Sequence, residues 1–257
     1  MPLIEFNIEE LSSMKSYPKR LSYSGDLKLL QRKKVSIIGS RKPSKYSRNL
    51  TQQLATQLSN AGICIVSGGA MGIDAIAHIS AKAKNTISVL PCGINIKYPA
   101  INKNLLSDIE TNGLLISQFD DSFKATPWSF VVRNEVVVAL GDILIVAEAQ
   151  LKSGSVRSIE FAKKMGKDIY VFPHQIGDSE ATNELLKNSQ AKAIYNIEEF
   201  VNTIAPDSKI EKSDDSFIEF CKTNPTYEES LNKYPNRVFE AELSGDIKIQ
   251  NGKVYII

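Results

Sequence analysis

Histidine, cysteine and tryptophan are scarce: the 257 residues hold two, three and one of them. His78 and His174 leave metal clusters and Ser/His/Asp hydrolysis poorly supplied. Cys64, Cys92 and Cys221 are odd in number and far apart, which suits reduced thiols rather than a disulfide frame or a zinc site. The dinucleotide fingerprint GxGxxG with its acidic ribose partner is missing, so neither a nicotinamide nor a flavin cofactor is expected. No apolar run approaches the roughly 20 residues that span a bilayer, and Glu5, Glu9 and Glu10 stand where a signal peptide would be basic and then apolar. These absences predict a cytoplasmic protein with no metal, no cofactor and no membrane partner.

What is present begins with 42% hydrophobic residues, enough to bury one main domain and a small appendage. The organising stretch is Ile65–Asp74, an apolar run that breaks into Ser67-Gly68-Gly69-Ala70-Met71-Gly72 and then opens a helical pattern. Strand, glycine turn and helix in that order bring backbone N–H groups and a positive helix end to an anion. The plainer reading is that the glycines only let helix and sheet pack closely. Two more strand-to-helix loops follow the same logic, Gly39-Ser40-Arg41 and Lys152-Ser153-Gly154-Ser155. In a doubly wound sheet all three lie at the carboxyl edge of the strands, where they can share one anionic ligand. Arg41 offers a phosphate-matching fork, and Ser67, Ser153 and Ser155 offer hydroxyls. Ser153–Ser155 equally suit a simple helix N-cap, and Asp74 at a helix start reads as a structural pin on the turn.

Charge is uneven along the chain. From Lys28 to Arg48 there are eight basic residues, Arg41 and Lys45 among them, and no acidic one; from Pro206 to Asp246 five basic residues stand against ten acidic, a net of −5. A polyanion should therefore meet the front of the protein and not its tail. Apolar runs and helical periodicities alternate from Val35 to Thr203 and predict an α/β fold, an extended Rossmann-like doubly wound, mostly parallel sheet. The valine-rich Ser129–Leu140 favours a strand by propensity alone. Its twelve residues exceed the usual strand length, and the run at Asp142–Ala147 behind it is a better strand, so a helix is expected. The predicted organisation is a lead-in over 1–34 packed on the core, a Rossmann-like domain over 35–205, a polar linker over 206–215, and a small winged-helix-like domain over 216–257 with an Asn251-Gly252 hairpin turn.

Read in order, Gly39-Ser40-Arg41, Ser67–Asp74 with Ala77-His78, Pro91-Cys92-Gly93 with Tyr98-Pro99, Phe130 with Arg133-Asn134, and Ser153-Gly154-Ser155 resemble the DNA-processing protein A (DprA/Smf) family over roughly residues 17–200. The resemblance implies a non-catalytic homodimer that binds single-stranded DNA and helps load the RecA recombinase on incoming DNA during natural transformation. The expected DNA contacts are Arg41 and Lys45; Ser67, Gly68, Gly69 and Gly72; Ser129, Phe130, Arg133 and Asn134; and Lys152, Ser153, Gly154 and Ser155. Phe130 is expected to stack on a base, His78 to be a packed core histidine, and Trp128 stays open between core and stacking. The acidic tail is read as a protein-interaction or regulatory module. Two other classes compete. One is a nucleotide-processing enzyme similar to the LOG (lysine-decarboxylase-like) phosphoribohydrolases, with Arg133 and Glu160 as its arginine and general acid/base; the other is a sensor of a nucleotide-derived ligand.

Overall fold

The computed structural model describes residues 2–206, 216–221 and 223–256. They fall into two compact units, Met1–Ile210 and Glu211–Ile257. The predicted linker lies, beyond Pro206, outside the described residues.

The first unit is built on an eight-stranded sheet. Its strands are β1 (Ser22–Gly25), β2 (Lys34–Ile38), β3 (Cys64–Ser67), β4 (Thr86–Val89), β5 (Leu114–Ser117), β6 (Ile143–Val146), β7 (Ile169–Val171) and β8 (Lys192–Ala193). Its helices are α1 (Lys45–Asn60), α2 (Ile73–Ala81), α3 (Lys103–Asn112), α4 (Pro127–Leu140), α5 (Ser155–Lys164), α6 (Glu180–Lys187) and α7 (Ile197–Ile204). The spatial order is β1-β5-β4-β3-β2-β6-β7-β8. All pairings are parallel except that of β1, which runs antiparallel to β5 in the register Ser22 opposite Ser117. The lead-in thus supplies an edge strand that its Ser24-Gly25-Asp26 turn signal conceals. The central strands are covered on both faces, so every residue of β2, β3, β4 and β5 is buried and most are apolar.

One core packs Val136–Leu140 of α4, Ile159 of α5 and Leu185 of α6 on one face of the sheet, with Ile8 and Leu11 from the N-terminal segment. A second packs Leu54 and Leu58 of α1, Ile73 and Ala77 of α2, and Phe200 and Val201 of α7 on the other. The valine-rich stretch is a helix, as expected. Its ends settle the matter: Thr126 and Ser129 form a reciprocal capping box, Pro127 occupies the first turn, and Gly141 ends it. Gly141 ends the helix by close approach, since a Cβ there would stand 2.2 Å from Ser36 Oγ. Packed between the sheet, α5 and the lead-in, α4 can be apolar on most sides.

Chain direction reverses at β2. From β2 the chain steps outward to β5, then crosses back through α4 to place β6 on the other side of β2. The carboxyl ends of β2 and β6 therefore diverge at a switch point, where open α/β sheets leave a ligand crevice.

The second unit contains α8 (Ser216–Cys221), α9 (Tyr227–Lys233), α10 (Pro235–Ser244) and the hairpin of β9 (Ile247–Gln250) with β10 (Lys253–Ile256). Phe217, Val238, Ala241, Ile247 and Val254 form its core. Asn251 and Gly252 both have positive φ, 52° and 71°, the geometry a two-residue hairpin turn requires. Lys248 and Lys253, beyond the acidic stretch, sit on this hairpin.

Candidate functional site

The glycine turn is filled from within. Oδ2 of Asp74, in the first turn of α2, accepts from the Gly68 and Ala70 N–H groups at 3.2 and 3.3 Å. Arg133, 3% exposed on α4, packs its guanidinium against Gly68 and donates from Nη1 to the Val89 carbonyl at 3.1 Å. Burial pushes the Asp74 carboxyl up; the Arg133 charge and the turn's amides hold it down in part. Burial likewise lowers Arg133, with Asp74 opposing. The turn expected to cradle a phosphate thus spends two of its amides on its own carboxylate, and Gly68 makes room for an arginine. Gly72, at φ +77°, serves a close approach: a Cβ there would meet the Ser40 carbonyl at 2.3 Å, and the Ile73 N–H donates to that same oxygen.

Other expected contacts also turn inward. Ser67 is fully buried and its hydroxyl donates to the Ile37 carbonyl at 2.6 Å, tying β3 to β2. Ser129 is fully buried in the capping box of α4. Gly69 is buried, with Ser88 Oγ 2.8 Å from where its Cβ would be. None of these side chains is presented to a ligand, because the sheet and its caps use them first. His78 is a core residue as expected: the Thr86 hydroxyl donates to the Ile65 carbonyl, so His78 Nδ1, 2.6 Å away, must be the donor to Thr86. Burial lowers its pKa to about 3, so the ring is neutral.

What remains open is the switch-point crevice, a cavity of ≈ 410 Å³ walled by Gly39, Ser40 and Arg41 after β2, by Gln150 and Ser153–Ser155 after β6, and by Asn134 of α4. Asp74 and Arg133 form its floor. At its β6 side, α5 has Gly154 at its N-cap and no side-chain cap; the Val156 and Arg157 N–H groups donate to the Ser153 and Gly154 carbonyls at 3.2 Å, which leaves the Gly154 and Ser155 N–H groups and the dipole end facing the crevice. Ser153 Oγ is buried there without a hydrogen-bond partner, and so is Arg133 Nε at the floor. Ser155 donates to the Gly39 carbonyl at 3.3 Å, closing the two loops on each other. The capping role considered for Ser153 is therefore not taken up.

Beside the crevice lies an aromatic wall. The Arg41 guanidinium carbon stands 5.2 Å from the Phe130 ring centroid, that of Arg133 stands 6.0 Å from it, and Tyr98 meets Phe130 edge-on at 5.8 Å. Met71, Tyr98 and Phe130 line this smaller hollow with Arg41. Tyr98 carries the signal of an aromatic before proline in a strand-to-helix loop, but only its place beside Phe130 makes it part of a surface. Lys45, at the start of α1, and Lys152, next to Ser153, are both exposed. The loop between Arg41 and Lys45 is shaped by Glu148, whose carboxylate takes the Ser44 N–H and hydroxyl at 2.9 and 2.8 Å. Burial pushes Glu148 up, but hydrogen bonds from Ser47 and Ser44 and the nearby His174 outweigh it and hold the carboxyl below its ordinary value.

The basic run of the sequence is divided by β2. Lys34 is buried on Glu10, Lys33 donates to the Ile204 carbonyl, and Arg32 donates to the Gly62 carbonyl and to Asn85. These serve the amino end of the strand, and Arg41, Lys42, Lys45 and Arg48 alone follow its carboxyl end. Glu160, the acid/base of the competing phosphoribohydrolase reading, pairs with Arg157 at 2.8 Å and does not line the crevice. Among the described residues no group of three or more His, Cys, Asp or Glu could hold a metal, and no helix is long and apolar enough to cross a membrane.

Fold and site together define a doubly wound α/β protein with an open crevice at its switch point and an arginine-covered aromatic beside it. Residues 7–205 match the model of DNA recombination-mediator protein A, and the chain belongs to that family. DNA processing protein DprA of Streptococcus pneumoniae is 35% identical over 171 residues, 66% of this chain and 60% of the relative. DprA of Bacillus subtilis is 32% identical over 193 residues, 74% of this chain and 65% of the relative. The chain thus spans less than two thirds of the length of these two relatives. A solved structure of DNA processing protein A from Helicobacter pylori, described for its unique single-stranded DNA binding mode, is 40% identical with a TM-score of 0.78, covering 80% of this chain and 96% of that one.

Proposed function

We propose that this protein binds single-stranded DNA along the carboxyl edge of its sheet without catalysing a reaction on it. The observation that carries the reading is the pairing of Arg41 with Phe130 beside the uncapped start of α5. A cation for the backbone, an aromatic face for a base and the Gly154 and Ser155 N–H groups for a phosphate, those of Val156 and Arg157 being bonded to the Ser153 and Gly154 carbonyls, are the parts a sequence-tolerant single-strand site needs. The Helicobacter pylori relative, described by its single-stranded DNA binding mode, supports the same ligand. With this reading go the finer roles: a homodimer that protects incoming DNA and helps load the RecA recombinase during natural transformation, working in the cytoplasm. The second unit is read as a winged-helix-like module for protein contacts, over 216–257, joined through 206–215 to a DNA-binding domain over 35–205 with its lead-in over 1–34.

Salt-titrated binding curves for single- and double-stranded DNA of equal length test the proposal. Tighter binding of the single strand, weakening with salt by a log–log slope of about −0.7 per phosphate neutralised, is the expected result. Tight binding of a mononucleotide with no binding of single strands would overturn it in favour of a nucleotide sensor, and release of ribose 5-phosphate from AMP in favour of an enzyme.

A further inference from the structure

Trp128 is the sole tryptophan of the chain, and it is 60% exposed at the first turn of α4. It is also held. Phe119 and Phe123 stack with centroids 4.8 Å apart and planes 14° from parallel, and the indole stands crosswise to both, 5.7 and 6.3 Å away at 71° and 75°. The loop that carries the two phenylalanines is fixed in turn. The Phe123 carbonyl accepts from the Gly93 N–H at 2.8 Å, and Arg20 donates to Asp120 and Asp121 at 3.1 and 2.8 Å, tying down the acidic end of the loop and offsetting part of its charge. Lys124, exposed, is the next residue of that loop.

The position relative to the aromatic wall follows from the helix. Trp128 and Phe130 are two residues apart in the first turn of α4, so their Cα atoms are about 5 Å apart while their side chains leave the helix about 200° apart around its axis, Phe130 toward Tyr98 and Arg41 and Trp128 toward Phe119 and Phe123; both stand at the carboxyl edge because α4 descends from the end of β5 to the start of β6. We infer that Trp128 is a second base-stacking platform, distinct from Phe130, onto which a single strand continues after leaving the crevice. The inference rests on the single-strand reading of the site. Preorganisation is what separates it from a stray surface aromatic: a ring already fixed by two others loses little entropy when a base stacks on it, and any base serves because every base has a π-face.

The single tryptophan makes the test direct. Full-length protein is titrated with fluorescein-labelled (dT)20, anisotropy reporting binding, and with unlabelled (dT)20, tryptophan emission reporting Trp128. Binding should quench the emission, and an abasic oligomer of equal length, which offers phosphates without bases, should bind without quenching it. Trp128→Leu should unfold at the wild-type temperature, weaken (dT)20 binding about five-fold or more, and leave the salt slope unchanged because no phosphate contact is lost. Anisotropy showing tight binding while emission stays constant and Trp128→Leu binds as the wild type would overturn the inference and leave the single-strand reading standing. Quenching by the abasic oligomer equal to that by (dT)20 would also overturn it. No anisotropy change with any single strand would overturn the reading itself, and the inference with it.

Discussion

An ideal Cβ on Gly68 would stand 1.4 Å from Nη1 of Arg133. The glycine at the heart of the turn is there for the arginine. Arg133 cannot swing aside freely, because it is hydrogen-bonded to Val89 and its charge offsets that of buried Asp74. Gly68→Ala should therefore destabilise the protein by about 1–3 kcal/mol, the usual cost of overpacking a core. A melting temperature equal to that of the wild type would show that the guanidinium can relocate and that the buried pair is not fixed as described.

Arg41 and Phe130 touch each other but should fail differently. Arg41→Ala should reduce the salt slope of single-strand binding by roughly one phosphate contact. Phe130→Ala should cost about 1–3 kcal/mol of affinity at unchanged slope, the signature of a lost base contact. Identical effects of the two substitutions on the slope would remove this division of labour.

Gly154 offers a way to separate folding from binding. A Cβ there meets nothing within 4 Å, and its backbone, φ −61° and ψ −23°, is one that alanine adopts readily. Gly154→Ala should leave stability unchanged or raise it by about 0.4–1 kcal/mol. Single-strand affinity should nevertheless fall, since the new methyl group sits on the uncapped start of α5 where a phosphate oxygen would approach the N–H groups. Undiminished affinity in a stable variant would move the anion away from α5.

Glu148 links pH to the Arg41–Lys45 loop. Its folded pKa lies below its unfolded value, so its hydrogen bonds to Ser44 and Ser47 contribute stability that is complete above the ordinary glutamate range of about 4.3 and is lost as pH falls through the lower, folded value. In Glu148→Gln that increment is absent at every pH. The melting temperatures of wild type and variant should thus converge as pH falls below the ordinary glutamate range of about 4.3; a constant difference down to acid unfolding would assign the acid sensitivity to other carboxylates.

Much of this architecture could be read from residue order, and the reasons are local. Mostly apolar runs mark β2 to β6 because both faces of a parallel sheet are buried, and glycine or capping residues mark the ends of α1 and α4. The site was legible as three loops at one edge. The use each loop makes of its own groups was not. Asp74 was recognisable as a pin, but nothing in the sequence says that it consumes the Gly68 and Ala70 amides, or that Ser67 and Ser129 are spent on β2 and on a helix cap. Such pairings depend on which hydroxyl reaches which carbonyl across the sheet. Likewise a run of eight basic residues reads as one patch until β2 separates its two halves.

The tail gives the last prediction. Residues 206–257 hold seven basic and ten acidic residues, a net of −3; Lys248 and Lys253 on the hairpin soften the −5 counted as far as Asp246 without reversing it. A second DNA-binding module would be expected to carry positive charge. A net-negative segment tethered to the first unit, whose last helix ends at the amino edge of the sheet by Lys33, should instead oppose a polyanion through the field, and most at low salt where screening is weakest. Neither of the two cores on the faces of the sheet, nor the smaller cluster of Leu90, Ile94, Leu106 and Ile109, draws on a residue beyond Ala205, so a chain ending there should fold. It should bind single strands as well as the full protein or somewhat better, with the difference shrinking as salt rises. A several-fold loss of affinity in a truncation that melts cooperatively would sink this reading and make the second unit a DNA reader despite its charge.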